Sequence, residues 1–144
     1  MKLDDIYQEW ERDSDINRNE LGEEALRIPK LHHKYFKIFT QERLILRKLE
    51  FDLKQVKLEK FEFFTQGPTP EQHEKGWKLP PQGKILKSEA NNYVDSDQEV
   101  IQLALRIGMQ LEKIELLESV IKTFTNRGFN IKSAIEWEKF KVGI

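Results

Sequence analysis

Apolar residues along this chain recur at alternating spacings of three and four, the repeat of an α-helix that buries one face. The longest ladder runs through Tyr35, Phe39, Leu46, Leu49, Leu53, Val56 and Phe63, with Glu42 and Lys60 as polar rungs. A second runs through Val100, Leu103, Ile107, Ile114, Leu117, Ile121 and Phe124, with Gln110 as its one polar rung. A short amphipathic stretch over residues 3–13 places Leu3, Ile6, Tyr7 and Trp10 at helical spacing. Asp4 and Asp5 fall in its first turn, where the helix dipole favours acids. The pattern predicts a mostly all-α fold.

Punctuation divides the ladders. Residues 18–28 form a second short helical piece, which Pro29 ends or kinks. Residues 30–65 contain neither proline nor glycine, and Thr65-Gln66-Gly67-Pro68 supplies the stop. The four remaining prolines and three glycines fall between residues 66 and 83, which predicts a long loop, functional or mobile. Residues 84–94, KILKSEANNYV, carry weak strand alternation around a turn-like centre, the pattern of a small β-hairpin. Ser96-Asp97-Gln98-Glu99 reads as a capping box. Gly128 reads as a helix terminator, with a last helix at about 131–141 seating Ile131, Ile135 and Phe140. The expected organisation is one domain, 1–144: acidic N-terminal helices (1–28), a long basic helix (30–65), a loop (66–95) and C-terminal helices (96–141).

Length sharpens the picture. The long helix would be a rod of ~54 Å, whereas a compact domain of this size has a radius of gyration of ~15 Å. An overhanging apolar seam calls for another chain, so self-association is expected.

Composition narrows the class. The 144 residues are 38% hydrophobic and 34% charged, and mean hydropathy is −0.67. No apolar run approaches the ~20 residues of a membrane span, and the acidic start MKLDDIYQEW lacks the apolar core of a signal peptide. There are no cysteines, which removes disulfides, thiolate zinc sites and cysteine nucleophiles and fits a reducing compartment such as the cytosol. The net charge of −1 hides a segregation. Residues 1–24 hold nine acids against three bases, net −6, while residues 30–60 hold nine bases against four acids, net +5. The asymmetry suggests either a polyanion for the basic stretch or acidic and basic faces that pair with each other.

Candidate chemistry points to binding rather than catalysis. Nucleotide-binding glycine loops, a nucleophile elbow and a zinc-protease motif are all absent from the sequence. His32 and His33 are adjacent and diverge on a helix, and His73 lies in the loop, so neither a metal site nor a cofactor is expected. The chain reads as a non-enzyme. The candidate contact set is Arg47, Lys54, Lys57 and Lys60 with Phe64, at the aromatic end of the basic helix beside Phe61 and Phe63. Lysines meet phosphates as point charges, and aromatics stack on unpaired bases. The competing reading makes the phenylalanines core and the lysines a solvated face. Lys75, Trp77, Lys78, Lys84 and Lys87 form a second basic cluster, in which Trp77 either stacks on bases or pins the loop. Two classes remain: a single-stranded nucleic-acid-binding oligomer, and a coiled-coil adaptor or structural oligomer that does not bind DNA.

Three stretches resemble the UvsY recombination mediators of T4-like bacteriophages. Met1-Lys2-Leu3-Asp4-Asp5-Ile6 resembles the family's opening, Lys60-Phe61-Glu62-Phe63-Phe64-Thr65-Gln66-Gly67 its basic-apolar-acidic-aromatic-aromatic run, and Arg127-Gly128-Phe129-Asn130-Ile131-Lys132 its RGFxIK segment. The order and length of the segments also match. The resemblance implies a homo-oligomeric ring, hexameric or heptameric, without catalytic activity, in the cytoplasm of the infected host. Its implied partners are single-stranded DNA, the phage single-strand-binding protein that coats it, and the RecA-like recombinase that the mediator loads. By the family pattern, DNA contact falls to basic residues just before the aromatic pair. Lys60 matches the nearer one; the farther falls on Leu58, with Lys57 beside it as the substitute.

Overall fold

The computed structural model describes residues 1–144 and contains five helices and no strand: α1 (Leu3–Ser14), α2 (Leu21–Gln66), α3 (Pro70–Glu74), α4 (Lys87–Asp95) and α5 (Gln98–Lys141). The helices pack as two compact units, Met1–Ile45 with Gln110–Ile144, and Leu46–Met109. The all-α class expected from the ladders is the class observed.

Four local expectations are corrected. Pro29 does not divide the chain, because α2 runs through it from Leu21 to Gln66. A proline inside a helix costs ~3 kcal/mol. Glu24 before it and Leu31 and Tyr35 after it are buried on one face, and two apolar burials of ~1.5–3 kcal/mol each outweigh that cost. Gly128 likewise fails to end α5, which continues to Lys141. Its ~1 kcal/mol penalty is small beside the burial of Phe124, Arg127 and Ile131 on either side. The hairpin at 84–94 is helix α4 instead. Ala90 and Val94 are both buried, an i,i+4 pair that the weak alternation disguised. Finally, the 66–95 segment is not one loop but holds α3 and α4.

The stop of α2 is where the sequence places it. Gly67 adopts φ +93°, a left-handed conformation that glycine takes without strain, and its N–H donates to the Phe63 carbonyl at 2.9 Å. A capping box from Thr69 and Gln72 then opens α3, with Pro70 in its first turn. The start of α5 is also as expected, but Asp97 makes the cap: its carboxylate accepts from the N–H groups of Glu99 at 3.0 Å and Val100 at 3.3 Å. Ser96 turns back to the Asn92 carbonyl.

In the first unit the core is Ile6, Tyr35, Phe39, Leu117, Val120, Phe124 and Ile131. Trp10 meets Tyr35 and Phe124 edge-on, with ring centroids 5.5 and 5.6 Å apart, a geometry worth ~1 kcal/mol per pair beyond area burial. Three polar nodes sit within or beside this core. Asp13 accepts from Lys34 at 2.6 Å and from the Tyr35 hydroxyl at 2.8 Å. Burial pushes the Tyr35 hydroxyl far up, and donation to Asp13 adds to it. Arg127 donates to the carbonyls of Asp13 and Asp15 at 2.8 and 3.1 Å and pairs with buried Glu24 at 3.3 Å. Glu42 accepts from the Gln110 amide at 2.7 Å, so the polar rung of one ladder meets the polar rung of the other.

The second unit packs the end of α2 against α3, α4 and the first turn of α5. Phe63, Phe64, Trp77, Ile85, Ala90, Val94 and Val100 form its core, bordered by Leu53, Val56, Phe61, Leu79 and Tyr93. The Ile85 N–H donates to the Phe64 carbonyl at 2.8 Å, fastening the returning chain to the end of the helix.

Candidate nucleic-acid interface

Burial of Leu46, Leu49 and Phe63 turns one side of α2 inward over this stretch. The opposite side then carries Arg47, Phe51, Lys54 and Leu58 at spacings of four, three and four, all exposed. Arg47 and Lys54 have no carboxylate within ion-pair distance. Phe51 is 64% exposed and Leu58 59%. The Lys54 ammonium lies 5.7 Å from the Phe51 ring centroid. Lys48, beside the row, is paired with Asp52 at 2.9 Å.

The five candidate contacts therefore separate. Arg47 and Lys54 stand free on the outward row. Lys57 is partly exposed and lies 3.6 Å from Asp95. Lys60 and Phe64 point inward, which corrects their assignment as surface contacts. The Lys60 side chain is only 5% exposed, with its ammonium 3.2 Å from Asp97 and 3.6 Å from Glu99. It also sits 3.6 Å over the Trp77 ring, whose Nε1 donates to Glu99 at 3.0 Å. That ammonium ties the start of α5 and the 66–86 segment to the end of α2. Phe64 is buried against Phe63 and Tyr93, with centroids 5.1 and 5.7 Å apart. Of the second basic cluster, Trp77 is buried and pins its segment, while Lys75, Lys78, Lys84 and Lys87 remain outside the core.

Phe51 was not among the candidates. It lies off the buried ladder, and the available signal was that it shares the three-four spacing with Arg47, Lys54 and Leu58.

The surface is shaped for contact rather than chemistry. A shallow groove in the second unit is lined by Leu53, Lys57, Asp95, Val100, Ile101, Ala104 and Leu105, with Lys57 and Asp95 as its only charged groups. No three His, Cys, Asp or Glu side chains are grouped to hold a metal ion. No helix is long and apolar enough to cross a membrane.

Comparison with known proteins agrees with this picture. Residues 9–144 match the family described as "Recombination, repair and ssDNA binding protein UvsY". Among curated protein sequences, none matches the chain. Crystal structures of the bacteriophage T4 recombination mediator protein UvsY in three lattices share the fold. One superposes with a TM-score of 0.80 at 19% identity, covering 99% of this chain and 98% of that one. A second gives 0.81 at 17% identity over 95% and 98%, and a third 0.78 at 16% over 98% and 99%. The chain belongs to the UvsY family of recombination, repair and single-stranded-DNA-binding proteins.

Proposed function

We propose that this chain is a recombination mediator without catalytic activity, working in the cytoplasm of the infected bacterium. It binds single-stranded DNA, weakens the hold of the phage single-strand-binding protein and loads a RecA-like phage recombinase. The observation that carries the reading is the outward row of α2, where Arg47 and Lys54 stand unpaired in a chain matched to the family over residues 9–144. Lys57 joins them once its contact with Asp95 exchanges for a phosphate; an ion pair this exposed contributes little and exchanges readily.

One such patch binds weakly. A hexameric or heptameric ring repeats it six or seven times, and linked sites raise avidity through effective concentration. Support for self-association comes from the end of α5, where Phe129 (68%), Trp137 (57%) and Phe140 (72%) are exposed, with the Trp137 and Phe140 rings stacked 5.5 Å apart. An apolar surface of that kind marks a contact with another chain. A strand held along such a ring is bent or extended away from the shape the single-strand-binding protein prefers, which leaves it open to the recombinase.

The test is a salt titration of oligonucleotide affinity with sedimentation alongside. Each neutralised phosphate on a single strand contributes a slope of about −0.7 in log K against log salt. Replacing Arg47, Lys54 and Lys57 together by alanine is expected to flatten that slope by about 2. An unchanged slope sinks the site. An oligomer that binds no oligonucleotide even at low salt is the adaptor reading, and a clean 17.2 kDa monomer at micromolar concentration sinks the ring.

A further inference from the structure

We infer that Phe51 is the side chain on which an unpaired DNA base stacks, and that the strand runs along the Arg47–Phe51–Lys54 row rather than at the aromatic end of α2. The inference rests on the DNA-binding reading above and deepens it. Three observations carry it.

The phenylalanines nearest the end of the helix are not available. Phe63 and Phe64 are buried, and Phe61 is partly buried against the same core. Phe51 is 64% exposed and makes no aromatic pair within the chain. Its ring is thus an apolar face left open to water.

Its neighbours match a polyanion. Arg47 lies one turn before Phe51 and Lys54 one turn after it, about 6 and 4.5 Å away along the helix axis. A base on the ring would leave its flanking phosphates within reach of both cations. Phosphate contacts position a strand, while the ring supplies sequence-tolerant stacking. An equivalent row from a second copy is the worse occupant, because a seam along Phe51 would bring Arg47, Lys48 and Lys54 of two chains together. Like charges across an interface are unfavourable.

The third observation is Leu58. It continues the same row, exposed and apolar, where a phosphate contact has nothing to offer. The unpaired cations lie on the other side of Phe51 and beside it, so the track is shifted towards the N-terminal end of this stretch.

The experiment uses the full-length protein and two oligonucleotides of equal length, one of deoxythymidine and one abasic. Wild type is expected to bind the deoxythymidine strand more tightly than the abasic one. Phe51→Leu keeps an apolar side chain but removes the π-face. It should weaken deoxythymidine binding about tenfold, leave abasic binding and the salt slope as in wild type, and be rescued by Phe51→Trp. The proposal is overturned if Phe51→Leu binds the deoxythymidine strand as wild type does, or loses affinity equally on both strands. It is also overturned if the variant alters sedimentation of the assembly, which would make Phe51 part of a protein seam. Failure of the underlying reading looks different: wild type would bind neither strand at low salt.

Discussion

The two units use their cations in opposite ways. In the unit of Met1–Ile45 and Gln110–Ile144, the cations that matter are inside: Arg127 grips two carbonyls and a buried carboxylate, and Lys34 bridges Glu9 and Asp13. In the unit of Leu46–Met109 one cation, Lys60, is treated the same way, while Arg47 and Lys54 stay outside without partners. The buried cations fall in the short sequence runs that are easiest to recognise, and the free ones do not. Recognisability therefore tracks folding here, because a buried charge constrains every residue around it and a surface charge constrains none.

Substituting Arg127 tests that contrast hardest. Its side chain is 5% exposed and Glu24 beside it 6%. Arg127→Ala leaves a buried carboxylate without its partner, a loss of ~3–5 kcal/mol. Denaturant unfolding should register it, and a loss below ~1 kcal/mol would mean that the node is hydrated after all.

Lys60→Ala comes next. It removes a cation–π contact worth up to ~2 kcal/mol and leaves Asp97, 16% exposed, without an ion-pair partner. The expected loss is ~2–3 kcal/mol, with the salt slope of DNA binding unchanged in the folded protein. A slope that flattens by about 0.7 would return Lys60 to the contact set.

Acid titration probes the first unit more gently. Burial pushes the carboxyls of Glu42 and Asp13 up. Gln110 with the Met1 ammonium for Glu42, and Lys34 with Tyr35 for Asp13, more than offset this and hold both below their ordinary values of 4.5 and 3.8. A lowered carboxyl binds fewer protons folded than unfolded. Its stabilisation is therefore complete above the ordinary value and drains as pH falls through the lower folded one. Stability should decline below about pH 4.5, and Glu42→Gln should make that decline shallower while costing ~1 kcal/mol at neutral pH.

These nodes also show how far the sequence could be read. Both ladders became buried faces, and their polar rungs proved informative: Glu42 and Gln110 bond to each other, so the interruptions recorded a helix pairing. What stayed hidden depended on partners remote in sequence. Periodicity marks Phe63 as an inward residue, but nothing local says that Tyr93 closes over Phe64 or that Trp77 roofs Lys60. Pro29 and Gly128 misled for the same reason, since breaker residues yield when burial on both sides outweighs their cost.

The smallest effect on stability belongs to Arg47 and Lys54, and it sharpens the comparison most. Neither side chain has an ion-pair partner to lose, so Arg47→Ala and Lys54→Ala should each change unfolding free energy by no more than ~0.5 kcal/mol. Binding should move instead. Each variant is expected to weaken oligonucleotide binding at low salt and to flatten the slope by about 0.7, and the double variant by about twice that, because residues two turns apart on one helix face contact separate phosphates. At high salt the variants should converge on wild type, since released counterions no longer favour the contact. A stability loss of ~2 kcal/mol would place these cations with Lys60 and Arg127. The distinction between cations that hold the fold and cations that hold DNA would then dissolve.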